Sequence, residues 1–280
     1  MKEESIIQLI NGKGMAEQIQ AALYEENKNS GLIPGLAMIT VGDDPATASY
    51  IRLKERAVES IGGTVRTVNL PRQATRESLL QEIDQLNADP EVHGILLQLP
   101  LPEHLAADQD TFLARIHPEK DVDGFSPYNR GLLLGSTLEG FVSCAALACM
   151  EVCSRYAAPL AGKKALLVGD SFDVIQALAL LLIQAGCLVH IEADYHEESL
   201  RQADLAVIEK GTPRMVKGLA DSQLTLLIDA GFHWVDNRSV GNVDLESTAV
   251  MDGYLLPVPG GMGPLLIAKL MENLCKAARQ

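Results

Sequence analysis

The chain is poor in positive charge: 23 Lys and Arg stand against 37 Asp and Glu, a formal net charge of −14 over 280 residues. That balance argues against nucleic acid or an anionic membrane surface as a partner. Long apolar runs are also missing. The longest, ALALLLIQAGCLV from Ala177, is interrupted by Gln184 and Gly186 and is too short to span a bilayer. The N-terminal MKEESIIQLI carries acidic residues where a signal peptide needs basic ones, so a cytoplasmic protein is expected. The five cysteines, an odd number, fit reduced thiols in that compartment. Cys144, Cys149 and Cys153 cluster in one helical stretch without the further Cys or His that a metal site needs. They read as small buried hydrophobes, and no metal is expected. The six histidines form no His-x-x-x-His pair, and no Gly-x-Ser-x-Gly elbow, internal repeat or low-complexity segment occurs.

What is present is an alternation of strand and helix patterns in a chain that is 47% hydrophobic, enough for two domains or one large one. Met15 to Asn27 predicts a helix and Leu36 to Val41 a strand. Pro45 opens a second helix that Gly62-Gly63 closes. Val65 to Leu70, Arg76 to Asn87 and His93 to Leu99 follow as strand, helix and strand. A linker rich in Pro, Asp and Gly runs from Pro118 to Gly135, and a helix is expected from about Leu138 to Arg155. From Ala161 onward KKALLVGD, LVHIEA, DLAVIEKG and LTLLIDAG are short apolar runs ended by turn signals, the pattern of a parallel sheet covered by helices. PVPGGMGP and an amphipathic helix to Arg279 close the chain. The expected fold is α/β in two domains: 1–137 with 262–280, and a Rossmann-like parallel-sheet domain over 138–261. Ligands of such folds sit beyond the carboxyl ends of the strands.

The segment SYIRLKERAVESI holds one residue out of place. At 100° per residue Tyr50, Ala57, Val58 and Ile61 share an apolar face, while Arg52, Glu55, Arg56 and Glu59 make the solvated one. Lys54 lies in the apolar arc, one turn after Tyr50. A lysine laying its stem over apolar surface with its head in water accounts for such a position; so does a lysine bordering a cleft, where it exchanges protons with a reacting group. In GILLQLPLP, Gln98 is the one polar side chain of an apolar run, either an amide that orients a lysine or substrate or a strand-end glutamine bonded to backbone. In EKDVDGFSPYN, Asp121 and Asp123 stand two apart, so that on extended chain they point the same way. One of them can grip a heterocycle bearing an amino group and a ring N–H, or the pair marks an Asp-Gly turn. The prolines and glycines of PVPGGMGP specify backbone shape, either for a loop fitted over a ligand or for a plain turn.

Four segments, VGDDPATASYIRLK, GILLQLPLPEHL, IHPEKDVDGFSPYN and PVPGGMGPL, in this order, resemble the bifunctional methylenetetrahydrofolate dehydrogenase/methenyltetrahydrofolate cyclohydrolase family over essentially the whole chain. The resemblance implies a two-domain build whose C-terminal helix returns to the first domain, tetrahydrofolate derivatives as partners, a homodimer, and NADP as cofactor. It places the family's Tyr-x-x-x-Lys pair on Tyr50 and Lys54, with Lys54 as the central catalytic group. It also implies that Gln98 supports the lysine, that Asp123 holds the pterin, and that Pro259, Gly260, Gly261 and Pro264 line the folate site. Cofactor contacts are implied at Gly169, Asp170, Ser171 and Phe232.

The second domain departs from the family pattern. The dinucleotide turn reads GDSFDVIQA, with Ile175 in place of the second glycine and Ala177 in place of the proline; isoleucine hinders close approach of backbone to a pyrophosphate. Asp170 and Asp173 flank the helix start, with Asp173 read as its N-cap. Glu192, Asp194, Glu197 and Glu198 follow the next strand, where they repel the extra phosphate of NADP, although Glu192 or Asp194 can take the ribose hydroxyls of NAD. Pro-Cys-Thr-Pro of the family is Ser143-Cys144-Ala145-Ala146. The expectation is therefore an intact cyclohydrolase site with weak or absent NADP binding and little dehydrogenase activity. The alternatives are an enzyme with both activities and a folate-binding or scaffold protein without turnover.

Overall fold

The computed structural model describes residues 7–42, 45–135, 139–219, 222–236, 238–248 and 252–280. They form two α/β units, as the alternating patterns predict. One is built from Ala16–Cys144 and Ile267–Gln280, the other from Ala145–Leu266 with the described residues up to Met15. The boundaries expected from sequence shift accordingly. Residues 7–15 belong to the second unit because the strand Gln8–Leu9 pairs in parallel with Tyr254–Leu256. The later boundary falls inside the final helix, Met262–Ala277, and most of that helix belongs to the first unit.

The first unit has a three-stranded parallel sheet in the order Thr64–Leu70, Gly35–Val41, Gly94–Leu97. The central strand is an unbroken apolar run whose Leu36, Ala37, Met38 and Ile39 are all buried, as a strand covered on both faces requires. Leu79, Ile83 and Leu86 recur at helical spacing on Arg76–Ala88 and pack with Ile39, Ile95 and Phe112. Thr75 caps that helix, its side chain accepting from the Ser78 amide at 3.2 Å. The helix Pro45–Ser60 ends as expected at the glycine pair, where the Gly62 and Gly63 amides donate to the Glu59 and Val58 carbonyls at 3.0 and 2.9 Å.

Two expectations need correction here. The Pro118–Gly135 linker contains a short helix, Pro127–Leu132, started by Ser126, whose hydroxyl accepts from the Asn129 amide at 3.2 Å. The next helix begins at Cys144 rather than near Leu138, which lies outside the described residues. The backbone just before it is taken by side chains instead of a helical ladder: the Phe141 amide donates to Asn129 Oδ1, and the Val142 carbonyl accepts from Asn273 Nδ2.

The second unit is a six-stranded, all-parallel sheet. Its order is Gln8–Leu9, Tyr254–Leu256, Leu226–Asp229, Leu205–Ile208, Lys164–Val168, Leu188–Glu192. Leu166, Val168, Ala206, Ile208, Leu227 and Leu255 form its buried core. Asp229 ends one strand as a buried carboxylate that accepts from the amides of Gly231, Asn242 and Val243 at 2.9–3.0 Å. An antiparallel hairpin, His233–Val235 with Arg238–Val240, follows it. Among the described residues no helix is long and apolar enough to cross a membrane.

Candidate active site

Lys54 is only 8% exposed, far less than a surface lysine. Its Nζ donates to Gln98 Oε1 at 3.0 Å. Gln98 follows the last residue of the strand Gly94–Leu97; its amide N–H bonds the Ile39 carbonyl at 2.9 Å, and its side-chain Nε2 donates to the Leu99 carbonyl at 2.7 Å. The second of these bonds fixes which end of the carboxamide faces the lysine, because the nitrogen is committed to Leu99 and only the oxygen is left. Backbone bonding is thus what aims the Gln98 amide at the lysine. One turn before Lys54, Tyr50 is 42% exposed, leaving its ring accessible.

The two aspartates of the EKDVDG segment do not share a direction. The chain turns between them, the Gly124 amide donating to the Asp121 carbonyl at 2.9 Å. Gly124 has φ +68°, and a side chain there would strike the backbone of Phe141 and Val142, so the turn requires glycine. Asp121 is buried and structural. Its carboxylate accepts from the amides of Phe125 and Ser126 and from Asn129 Nδ2 at 2.8–3.1 Å. Burial pushes its carboxyl up and these hydrogen bonds pull it back. Asp123, half-buried, points to different surroundings, next to the Cys144 thiol. Burial raises that thiol's pKa well above the usual range, the Asp123 charge raises it further, and the charge of Lys54 lowers it.

Two residues of this cluster were not singled out from sequence. Cys144 was read with the other cysteines as a buried hydrophobe, and all five are indeed buried and free. Asn273 belongs to no motif of the sequence. Placed on the final helix and 6% exposed, it donates through Nδ2 to the carbonyls of Val122 and Val142 at 2.8 and 3.0 Å. It thereby holds the residue just before Asp123. The available signal was the one that picked out Lys54, a polar residue on the apolar side of an amphipathic helix.

In the other unit, the PVPGGMGP loop is closely folded. Val258–Pro259 is a cis peptide, and the Gly260 carbonyl accepts from the Lys13 amide at 3.0 Å. Gly261 is buried with its backbone against the Pro257 carbonyl, while Pro259 and Gly260 are exposed and Pro264 lies in the first turn of the final helix.

The turn Gly169–Ser171 follows the strand Lys164–Val168. The helix it leads into opens with a π-helical turn, Phe172–Gln176, and continues as Ala177–Gln184. Its cap is Ser171 rather than Asp173: the hydroxyl accepts from the amides of Val174 and Ile175 at 3.2 and 3.3 Å, while Asp173 lies one residue into the first turn. Asp170 is exposed and ion-paired with Lys210 at 3.0 Å. Ile175 is buried against Gly169, and the Glu209 carboxylate lies against the same glycine. Glu192 is also engaged, with Ser199, His190 and His196 around its carboxylate at 2.5–3.1 Å. Asp194 and Phe232 are exposed. The space above Gly169 is thus filled by the side chains of Ile175 and Glu209.

A lysine-centred cluster in one unit and a fully parallel, Rossmann-type sheet in the other define a two-domain α/β enzyme. Residues 10–123 match the model of the tetrahydrofolate dehydrogenase/cyclohydrolase catalytic domain, and residues 143–280 that of the NAD(P)-binding domain of the same family. The chain is 47% identical over 277 residues to a bifunctional FolD protein of Syntrophomonas wolfei, covering 98% of this chain and 99% of that one. Its structure is similar to the FolD methylenetetrahydrofolate dehydrogenase/cyclohydrolase of Campylobacter jejuni, with a TM-score of 0.91, 35% identity and coverage of 98% and 99%. It is also similar to the Trypanosoma brucei enzyme solved with NADP and an inhibitor, with a TM-score of 0.89, 30% identity and coverage of 98% of each chain. This chain belongs to the bifunctional tetrahydrofolate dehydrogenase/cyclohydrolase family of one-carbon metabolism.

Proposed function

We propose that this protein hydrolyses methenyltetrahydrofolate at the Lys54 cluster and handles NADP poorly. The carrying observation is the buried Lys54 Nζ held at 3.0 Å by an amide oxygen whose orientation is itself fixed. Opening a methenyl bridge requires water to attack an amidinium-like carbon and a proton to move as the ring opens. A lysine positioned by a neutral acceptor, away from bulk water, can move that proton, a contribution of ~10²–10⁴-fold. Gln98 positions the amine. Tyr50, one turn away on the same helix, offers an exposed ring to the substrate. Asp123 takes the amino group and ring N–H of the pterin, a pairing that suits a carboxylate. A cytoplasmic homodimer completes the reading. The test is hydrolysis of methenyltetrahydrofolate by the purified protein, followed through loss of the methenyl chromophore; a rate equal to the buffer-catalysed rate would refute it.

Asp123→Ala is expected to raise KM for the folate by roughly 10-fold or more, the loss of a charge-assisted hydrogen-bond pair, with a smaller change in kcat. Equal folate affinity in variant and parent, measured by calorimetry, would remove Asp123 from the binding site. For the dinucleotide, the turn Gly169–Ser171 supports weak binding. Methylenetetrahydrofolate oxidation with saturating NADP is expected to be slow beside hydrolysis, and brisk NADP-dependent turnover would overturn that half of the reading. Glu192, already ringed by Ser199 and two histidines, is a poor ribose ligand, so NAD is not expected to restore the rate.

A further inference from the structure

In the parallel sheet, Lys164–Val168 and Leu205–Ile208 are neighbours, with Val168 opposite Ile208. The residues that follow them, Gly169 and Glu209, therefore emerge side by side at the carboxyl edge, where ligands of this fold bind. The Glu209 amide is tied back to the Val168 carbonyl at 2.9 Å, which aims the side chain across the turn. A methyl group built on Gly169 would collide with Glu209 Oε2 and crowd Ile175 Cγ1, so the glycine surface is covered by this protein's own side chains. Gly169 itself has φ +145°, a conformation side-chain-bearing residues rarely adopt. The Ser171 hydroxyl and backbone N–H lie close enough to the Glu209 carboxylate to pull its pKa down. The same hydroxyl caps the following helix by accepting from Val174 and Ile175. The next residue, Lys210, reaches Asp170 at 3.0 Å and closes the turn on its outer side.

We infer that Glu209 is an internal anion occupying the position of a dinucleotide pyrophosphate, and that it sets this unit's affinity for nicotinamide dinucleotides. The inference rests on the weak NADP binding proposed above and names its main cause. A glycine turn leading into a helix binds phosphate because it presents free backbone donors and lets the ligand approach the chain closely. Here the Glu209 carboxylate stands over the glycine, beside Ser171. The charge balance agrees: Asp170 and Asp173 both act on Glu209, and Lys210 is the cation beside them, itself paired to Asp170. Burial and those two carboxylates push the Glu209 carboxyl up, against the pull of Ser171. Sequence reading passed over Glu209 because it lies 40 positions from Gly169 and belongs to no motif.

The experiment is isothermal titration of the full chain with NADP, and separately with NAD, for the parent, Glu209→Ala and Glu209→Gln. Melting curves confirm that each variant is folded. Weak binding by the parent is expected, with at least a 10-fold gain for Glu209→Ala and a smaller gain for Glu209→Gln, which keeps the shape and removes the charge. A weakly binding parent with no gain in either folded variant overturns the role of Glu209 but leaves the reading of weak binding intact, with Ile175 and the acidic residues as its cause. A tightly binding parent with unchanged variants overturns both. A tightly binding parent whose variants bind tighter still overturns only the reading of weak binding.

Discussion

Lys54→Met is expected to lower the rate of methenyltetrahydrofolate hydrolysis by ~10²–10⁴-fold, the range a positioned proton-transfer group contributes. Methionine keeps the length and apolar stem of lysine and removes only the ammonium. At this site the ammonium is held by Gln98 Oε1 in a nearly closed environment, so its removal costs little packing. The melting temperature should change by no more than a few degrees while activity collapses, and that separation is what distinguishes a catalytic group from a structural one. Lys54→Arg should fail almost as completely. A guanidinium stays charged, cannot accept a proton at neutral pH, and presents a planar fork where a single donor to one amide oxygen is needed. Parent-like rates in folded Lys54→Met would exclude the lysine from the chemistry.

Asp121→Ala is expected to destabilise the first unit strongly. The carboxylate is 1% exposed and accepts from the Phe125 and Ser126 amides and from Asn129 Nδ2. Removing it takes away the acceptor of the Ser126 and Phe125 amides and one of the two acceptors of Asn129 Nδ2, which also donates to the Pro118 carbonyl, a loss of roughly 3–5 kcal/mol when each bond costs about 1–3 kcal/mol and relaxation recovers part. For a unit of this size the melting temperature should fall by about 10 °C. Because the same carboxylate sets the turn that presents Asp123, folate affinity should fall as well, even at temperatures where the variant is folded. Differential scanning calorimetry with a parallel folate titration checks both. An unchanged melting temperature would mean that the loop is held by Gly124 and Asn273 alone. The contrast with Asp123→Ala is the useful one: two aspartates two residues apart, one expected to report mainly in stability and the other in binding.

Much of the first unit was legible because its signals are local. Apolar runs the length of a strand, helical periodicity and the Gly62-Gly63 stop each depend on residues within a few positions of one another, and elements appear close to where they were expected. Lys54 was legible for the same reason, since a charge in the apolar arc of a single helix is visible at 100° per residue. What the sequence by itself determined was thus the α/β class, the position of the lysine on its buried face, and the presence of altered residues in the dinucleotide turn. The choice between Asp121 and Asp123 was not local in this sense. On an extended chain the two are equivalent, and only the turn at Gly124 and the packing of Ser126 and Asn129 bury Asp121 in the scaffold and leave Asp123 half-buried beside Cys144. Asn273 reaches the same loop from 151 residues away. Glu209 meets Gly169 because two parallel strands pair with Val168 opposite Ile208, a register no local pattern encodes. Hydrophobic periodicity decides which face of an element is buried; which functional groups then face each other depends on strand order, register and loop closure, and those arise only when the whole sheet packs.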